Sequence, residues 1–357
     1  MNETRVMVRD MAERLFGDGC GAGLRVEAER GVWPVSLWRR VEEAGLPLLA
    51  VPEALGGAGM SLADAMVLAH VAGRHAAPVP LMETVLGNWL LASAGLKPLR
   101  GPIAVPVRMG ETARLARAGS SGWTLSGRLR HVPWGEEAGH LVLVAQRESG
   151  GGDVVLAMSK GQFVTRGARS VAFEPRSTLR FDDVIVADDA VQAGALPSAA
   201  ESLLCAGALA RCCQMAGAME WLQEQTIAWA KERSQFGKSI GGFQAVQHMV
   251  AVMAAHACAA TAAAGAASLA LGSEFFEEAV AMAKARVGEA SAEVAATAHQ
   301  VHGAMGYCQE YPLHYRTKRL WSWRDEFGSE REWQVRIGRK AMASGGIAFW
   351  PGLTAIG

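Results

Sequence analysis

The sequence predicts an α+β chain: an N-terminal helical domain over residues 1–100, a middle antiparallel β domain over residues 101–194, and a C-terminal four-helix bundle over residues 195–357. Three observations carry this reading. Apolar residues recur at helical spacing through the first part of the chain. From Gly101 they give way to short β-rich runs punctuated by glycine. From Ala195 onward long Ala-, Leu- and Met-rich periodic segments with short connections take over, the pattern of an antiparallel bundle.

Bulk properties narrow the function. A chain of 357 residues can bury a sizeable core in more than one domain. It carries 35 basic and 35 acidic residues, so it lacks the positive field that nucleic-acid binding requires, and small molecules or other proteins are the expected partners. Its six cysteines form no CxxC pair, which points to free thiols in a reducing, cytoplasmic compartment. The opening stretch MNETRVMVRDMAERLF mixes acids and bases and has no apolar h-region, so it does not read as a signal peptide. His299 and His302 lie three apart on a predicted helix, but no third ligand is near in sequence, and no metal is expected.

Each element follows from local signals. Leu37, Val41, Leu46 and Leu48–Val51 lead into a glycine-rich loop, after which Ser61 is placed to cap a helix from Leu62 with Asp64 in its first turn. Gly17–Ala22 nearly spells a dinucleotide fingerprint; no strand precedes it and no βαβ alternation follows, so it reads as a turn. The expected strands are Ile103–Val107, Trp123–Leu125, His140–Ala145, Val154–Met158 and Leu179–Val186, with a glycine turn at Gly150–Gly152. Ala199–Ala230 and Phe275–His299 are expected helices. Between them Ala245–Ser273 carries no charge and is long enough to span a bilayer. Its Ala and Gly content, with Gln247, His248 and His256, argues instead for a buried helix under close packing, with Val246, Met249, Val250 and Met253 at helical spacing.

One stretch carries chemistry: Lys231–Gln247, KERSQFGKSIGGFQAVQ. Arg233 stands three residues ahead of Phe236 and Gly237, and Gln244 opens the next helix. Gly237, Gly241 and Gly242 predict helix, irregular turn, helix. A guanidinium fork there matches two phosphate oxygens and a carboxamide reads a polar edge; an ordinary interhelical surface turn is the other reading. The stretch resembles the FAD-contacting turn of the acyl-CoA dehydrogenase family. A second stretch, QVHGAMGYCQEYPLHYRTKR from Gln300, resembles the same family through Gln300, Gly303, Gly306 and Glu310-Tyr311-Pro312. So do the Pro52-Glu53 to Gly59 loop and, in a subset found in bacterial degradation of large substrates, Ala77–Thr84. The resemblance covers the full length. It implies an oligomer in which Arg233, Gln235, Phe236, Gln244, Gln300 and Gly303 reach the FAD held mainly by a neighbouring subunit. It also implies an acyl-CoA substrate desaturated at its α,β carbons, and an electron-transfer flavoprotein or similar acceptor.

The chain departs from that pattern where the reaction needs a base. The family's usual Glu before Gly-Thr or Gly-Ser corresponds to Phe327, which cannot accept a proton. A second family location for the base falls near Gly207, and the substrate-binding Asp and Arg of that helix fall near Cys205 and Ala208. The Thr-Glu…Gly-Ser-Asp loop has no match within Arg108–Ser121. The flavin-facing Trp-x-Thr pair corresponds to His131 and Pro133, leaving His131 and Trp134 either as flavin neighbours or as buried structural residues. Glu326 is either a relocated base or a solvated member of the Arg324–Glu326 cluster, because adjacent side chains point in different directions. Glu201, Glu220 and Glu224 read as exposed helix positions. The residues that would reach a neighbour's FAD survive and those of an acyl pocket do not. This favours a subunit of a heteromeric acyl-CoA dehydrogenase, of the kind known from bacterial steroid side-chain breakdown, that serves a base-bearing partner. A homo-oligomeric enzyme using Glu326 and a flavin-free structural or regulatory homologue are the alternatives.

Overall fold

The computed structural model describes residues 3–108, 113–118, 122–150, 152–192, 198–345 and 347. Contacts divide the chain into two compact units, one of residues 1–22, 66–77 and 208–357 and the other of residues 23–65 and 78–207. Helices α1 (Glu3–Gly19), α2 (Ala22–Arg30), α3 (Val35–Glu43), α4 (Leu62–Arg74) and α5 (Leu81–Ser93) precede the sheet; α6 (Ala199–Glu232), α7 (Gln244–Leu269), α8 (Phe276–His302), α9 (His314–Trp323) and α10 (Glu330–Ser344) follow it. The Gly17–Ala22 fingerprint look-alike is mostly helical: α1 runs through Gly19, and only Cys20 and Gly21 separate it from α2.

The second unit holds the sheet. Its strands are β1 (Ile103–Ala104), β2 (Ala113–Arg117), β3 (Trp123–Pro133), β4 (His140–Arg147), β5 (Asp153–Ser159), β6 (Val164–Arg169) and β7 (Pro175–Val186). They run in the order β1-β4-β2-β3-β7-β6, with β5 on β4. The sheet is mixed rather than antiparallel, because β4 pairs in parallel with both β1 and β2. Such pairings join segments distant in sequence and leave no local turn signal. β2 and β6 went unpredicted: β6 is an almost wholly exposed edge strand, and β2 is short and arginine-flanked. Leu125, Leu129, Leu141, Leu143, Leu156, Leu179 and Phe181 fill the core face.

Helix α5 packs on this sheet, and Gly87 permits the approach: a Cβ there would sit 2.7 Å from Ile103 Cγ2. Two buried polar groups fix the connection out of α5. The Thr84 hydroxyl donates to Pro80 O and accepts from Ile103 N–H, while the Asn88 carboxamide donates to Leu99 O and accepts from its N–H. Ser61 caps as expected, accepting from Asp64 N–H at 3.0 Å.

In the first unit, α4 and the later part of α6 touch backbone to backbone. A Cβ on Gly73 would lie 1.9 Å from Gln214 O, and one on Gly217 would lie 2.0 Å from His70 O. Arg316, buried on α9, donates through Nε and Nη2 to Arg74 O at the C-terminus of α4 and lies over the Trp221 ring at 3.7 Å. Helices α6 and α7 are both long and apolar enough to cross a membrane by length and composition, but they differ in burial. The apolar window of α6 is 89% buried within the chain, that of α7 only 22%. The expectation that the charge-free segment is a buried helix therefore holds for one stripe, Met253, Ala257, Ala260, Ala264 and Ala267. The rest of α7 faces outward, because small side chains at every turn offer packing surface on more than one side.

Candidate functional site

The Lys231–Gln247 stretch folds differently from the expected irregular turn. Ser234–Gln235 (β8) and Lys238–Ser239 (β9) form a two-residue hairpin. Its central residues, Phe236 (φ +52°) and Gly237 (φ +81°), are both left-handed, as a type I′ turn demands. Glycine meets that demand without strain; phenylalanine does not. The hairpin is anchored at its base. Ser239 donates to Ala230 O at the end of α6 at 2.7 Å, Ile240 N–H donates to Arg233 O, and Gly241 lies too close to Ala230 O to carry a Cβ easily. Lys238 Nζ donates to Gly242 O and sits over Phe243, whose ring meets Phe236 edge-on at 6.2 Å.

The result is a loop anchored at its base with an outward tip. Phe236 is 92% exposed, and Arg233, Gln235, Gln244, Gln300 and Gly303 are exposed as well. The Arg233 guanidinium makes no hydrogen bond or ion pair among the described residues. The Gln235 carboxamide folds back, donating to Ser234 O. Gly303 ends α8 at φ +59°, ψ −138°, a conformation that glycine alone adopts readily. An unpaired guanidinium, an aromatic held outward under strain and the exposed Gln244 and Gln300 carboxamides present groups that bind phosphate oxygens, a ring face and polar edges.

Behind the Gln300 turn, the two histidines are engaged. His299 Nε2 lies 3.0 Å from Thr317 Oγ1; His302 lies 2.7 Å from Ala298 O through Nδ1 and 3.1 Å from the Tyr311 hydroxyl through Nε2, and stacks on Trp229. Burial holds both rings below the ordinary imidazole range, so they stay neutral at pH 7. No group of three metal-ligating side chains exists among the described residues.

Around Phe327, the residue that the resemblance sets at the family's base position, the surroundings hold a surprise. Phe327 is 2% exposed, at φ +54°, and its carbonyl accepts from Trp333 Nε1 at 2.9 Å. Glu326 is not a solvated residue. It is 7% exposed, and its Oε2 accepts from Arg211 Nε at 2.7 Å and Nη2 at 2.6 Å. Arg211 also donates to Gln214 and lies 5.7 Å from the Trp323 ring centre and 5.9 Å from that of Phe327. Beneath them Lys284 is fully buried, donates to Arg324 O at 2.7 Å and is pushed down to about 8, chiefly by burial. Sequence reasoning missed Arg211 and Lys284. The available signal was a lone cation in the apolar run LLCAGALARCCQMAGAM of α6, which requires a buried counter-charge.

The remaining candidates scatter. Gly207, Cys205 and Ala208 are buried and offer no carboxylate. Glu220 is half-buried rather than exposed, pairing with His70 at 3.0 Å, and Glu224 pairs with Arg74 at 2.7 Å. Glu201 is half-buried and accepts from Cys205. Trp134 is buried, edge-on to Trp33 at 5.9 Å, whereas His131 is exposed at a bulge in β3 with φ +56°. The Arg108–Ser121 loop lies partly outside the described residues.

Comparison with known proteins gives this geometry its context. Residues 2–100 match the acyl-CoA dehydrogenase N-terminal domain and residues 198–325 the acyl-CoA dehydrogenase C-terminal domain. The chain is 31% identical to acyl-CoA dehydrogenase IpdE2 of Mycolicibacterium smegmatis, over 94% of its own length and 98% of the relative's. It superposes on the ChsE4-ChsE5 complex of Mycobacterium tuberculosis with a TM-score of 0.88 at 23% identity, covering 97% and 98% of the two chains. A variant of the Tcur3481-Tcur3483 steroid ACAD gives 0.85 at 25% identity, covering 97% and 99%. Identity sustained from end to end, the two surviving turns and the shared fold agree: the chain belongs to the acyl-CoA dehydrogenase family.

Proposed function

We propose that the chain is the subunit of a heteromeric, FAD-dependent acyl-CoA dehydrogenase that grips the flavin of a base-bearing partner. The observation that carries this is the contrast between its two sets of residues. Arg233, Gln235, Phe236, Gln244, Gln300 and Gly303 are all exposed, while the base position is a buried Phe327 beside a carboxylate already bound to Arg211. The charge-free outer face of α7 supports an assembly, since it is apolar surface that a second subunit can cover. Domains over residues 1–100, 101–194 and 195–357, a cytoplasmic location and an electron-transfer flavoprotein or similar acceptor complete the reading.

When bound, FAD accepts the hydride leaving the β carbon of the acyl-CoA. This chain's residues do the holding. The Arg233 fork would pair with the diphosphate, the Gln244 and Gln300 carboxamides would bond polar groups of the nucleotide, and Phe236 would supply an aromatic contact. Proton removal at the α carbon needs a carboxylate able to change charge. The Glu326 carboxylate is already engaged by Arg211 through Nε and Nη2 inside the chain, which works against a base role. The steroid ACAD among the similar structures makes a bulky acyl group the natural substrate class.

The test is Glu326→Gln in the co-expressed pair of subunits. Turnover of an acyl-CoA in a dye-reduction assay stays within about twofold of wild type wherever flavin content and melting temperature are kept. Loss of kcat with flavin and fold intact would make Glu326 the base and end the proposal.

A further inference from the structure

The face of the sheet opposite its core carries a charge arrangement that none of the flavin-directed residues explains. On β3 and β7 the register sets Arg128 directly opposite Arg180; on β6, Val164 stands opposite Arg180 and Arg166 opposite Thr178, one row along. Cross-strand partners share a face, as do residues two apart on a strand. The three arginines therefore stand together, away from Leu129, Leu179 and Phe181. Like charges directly opposite in an antiparallel pair destabilise it. Local neutralisation is incomplete. Asp182 accepts from Arg180 Nε at 2.8 Å, and Asp183 accepts from the Ser126 hydroxyl. Arg128 and Arg166 make no hydrogen bond or ion pair among the described residues. These groups line an open concavity of about 720 Å³, within the range of small-molecule sites.

A repulsive cross-strand pair, Arg128 and Arg180, retained with the unpaired fork of Arg166 one row along suits an anion site, where the ligand supplies the missing negative charge. Neighbouring strands lie about 5 Å apart, so forks on adjacent strands reach adjacent phosphates. Among the described residues no exposed aromatic lines this face to stack successive bases, and Asp182 and Asp183 would repel a continuing polyanion at one end. We propose that Arg128, Arg166 and Arg180 form a binding site for the diphosphate of a small nucleotide, with Val164 as an apolar platform beside it. The chemistry is shared by two sources, the ADP portion of FAD and the phosphorylated ADP portion of coenzyme A.

The full-length chain is titrated calorimetrically with inorganic pyrophosphate, ADP, FAD, coenzyme A and dephospho-coenzyme A at low and moderate salt. Wild type binds pyrophosphate and ADP saturably, and more weakly as salt rises. The double variant Arg128→Gln/Arg166→Gln binds at least about tenfold more weakly. Its melting temperature stays level or rises, because the cross-strand repulsion is gone. A control, Arg169→Gln on the other face of β6, leaves affinity unchanged. Tighter binding of coenzyme A than of dephospho-coenzyme A assigns the site to coenzyme A; equal binding of both and of FAD assigns it to the diphosphate alone. Absence of saturable binding by wild type, unchanged affinity in the double variant, or an equal loss in Arg169→Gln overturns the proposal. Arg233 is intact in both the double variant and the control, so the loss between wild type and double variant reads this site alone and the proposed function is tested separately.

Discussion

At the scale of single residues, Phe327 stands where the resemblance sets the proton acceptor, and buried charges lie beside it. Phe327 could be read directly from the sequence, but the burial of Glu326 could not. Its partner Arg211 lies 115 residues earlier in the chain, and nothing local to Arg324–Glu326 distinguishes a buried acid from a solvated one. Lys284 gives this cluster a measurable signature. Burial, opposed by Cys212, Glu326, Asp325 and Glu330, lowers it from 10.5 to about 8. Between those values the unfolded chain holds a proton that the folded chain has released. Lys284 therefore opposes folding below pH 8, and this opposition is lifted as pH rises to 10.5. Compared with Lys284→Met, the wild-type chain should gain roughly 3 kcal/mol of stability across that window. Urea midpoints at several pH values check this, and parallel pH profiles for the two proteins would show that Lys284 is not depressed. Loss of the bond to Arg324 O in the variant offsets the curves without changing their slope.

At the scale of elements, the hairpin of β8 and β9 converts a loop into a fixed projection. Its Phe-Gly pair was visible in the sequence, whereas its geometry was not, because Ser234–Ser239 contains only the single turn glycine at Gly237 and no alternating apolar pattern. The same limit applies to the sheet. β4 and β5 were legible from apolar runs, but β3 continues past the expected Trp123–Leu125 through Gly127, Arg128 and Arg130, where the apolar pattern lapses. α7 shows the opposite case: its composition announced close packing, and one chain covers only part of its surface. Gly237→Val places a β-branched residue at φ +81° and costs about 1–2 kcal/mol within the hairpin. Since the hairpin is exposed, the urea midpoint of the chain should fall little, while flavin retained by the assembled pair on gel filtration should fall severalfold. A variant that keeps its flavin would separate the hairpin from cofactor holding.

At the scale of the whole molecule, the residues that reach outward are complete and those that would complete an acyl site within the chain are not. Arg233, Phe236, Gln244, Gln300 and Gly303 stand exposed, with an uncovered charge-free helix face beside them in sequence. Phe327, Gly207 and Ala208 offer nothing to a substrate proton. Under the proposed function such a chain is half of a site, and its flavin content depends on what it is assembled with. The decisive measurement is FAD per polypeptide, from the flavin spectrum and protein mass, for the chain alone and for the chain co-expressed with a homologous subunit. Under the proposed function the chain alone carries little flavin and shows no acyl-CoA-dependent dye reduction, and the pair holds about one FAD per two chains with full activity. A yellow, active preparation of the chain by itself would contradict it.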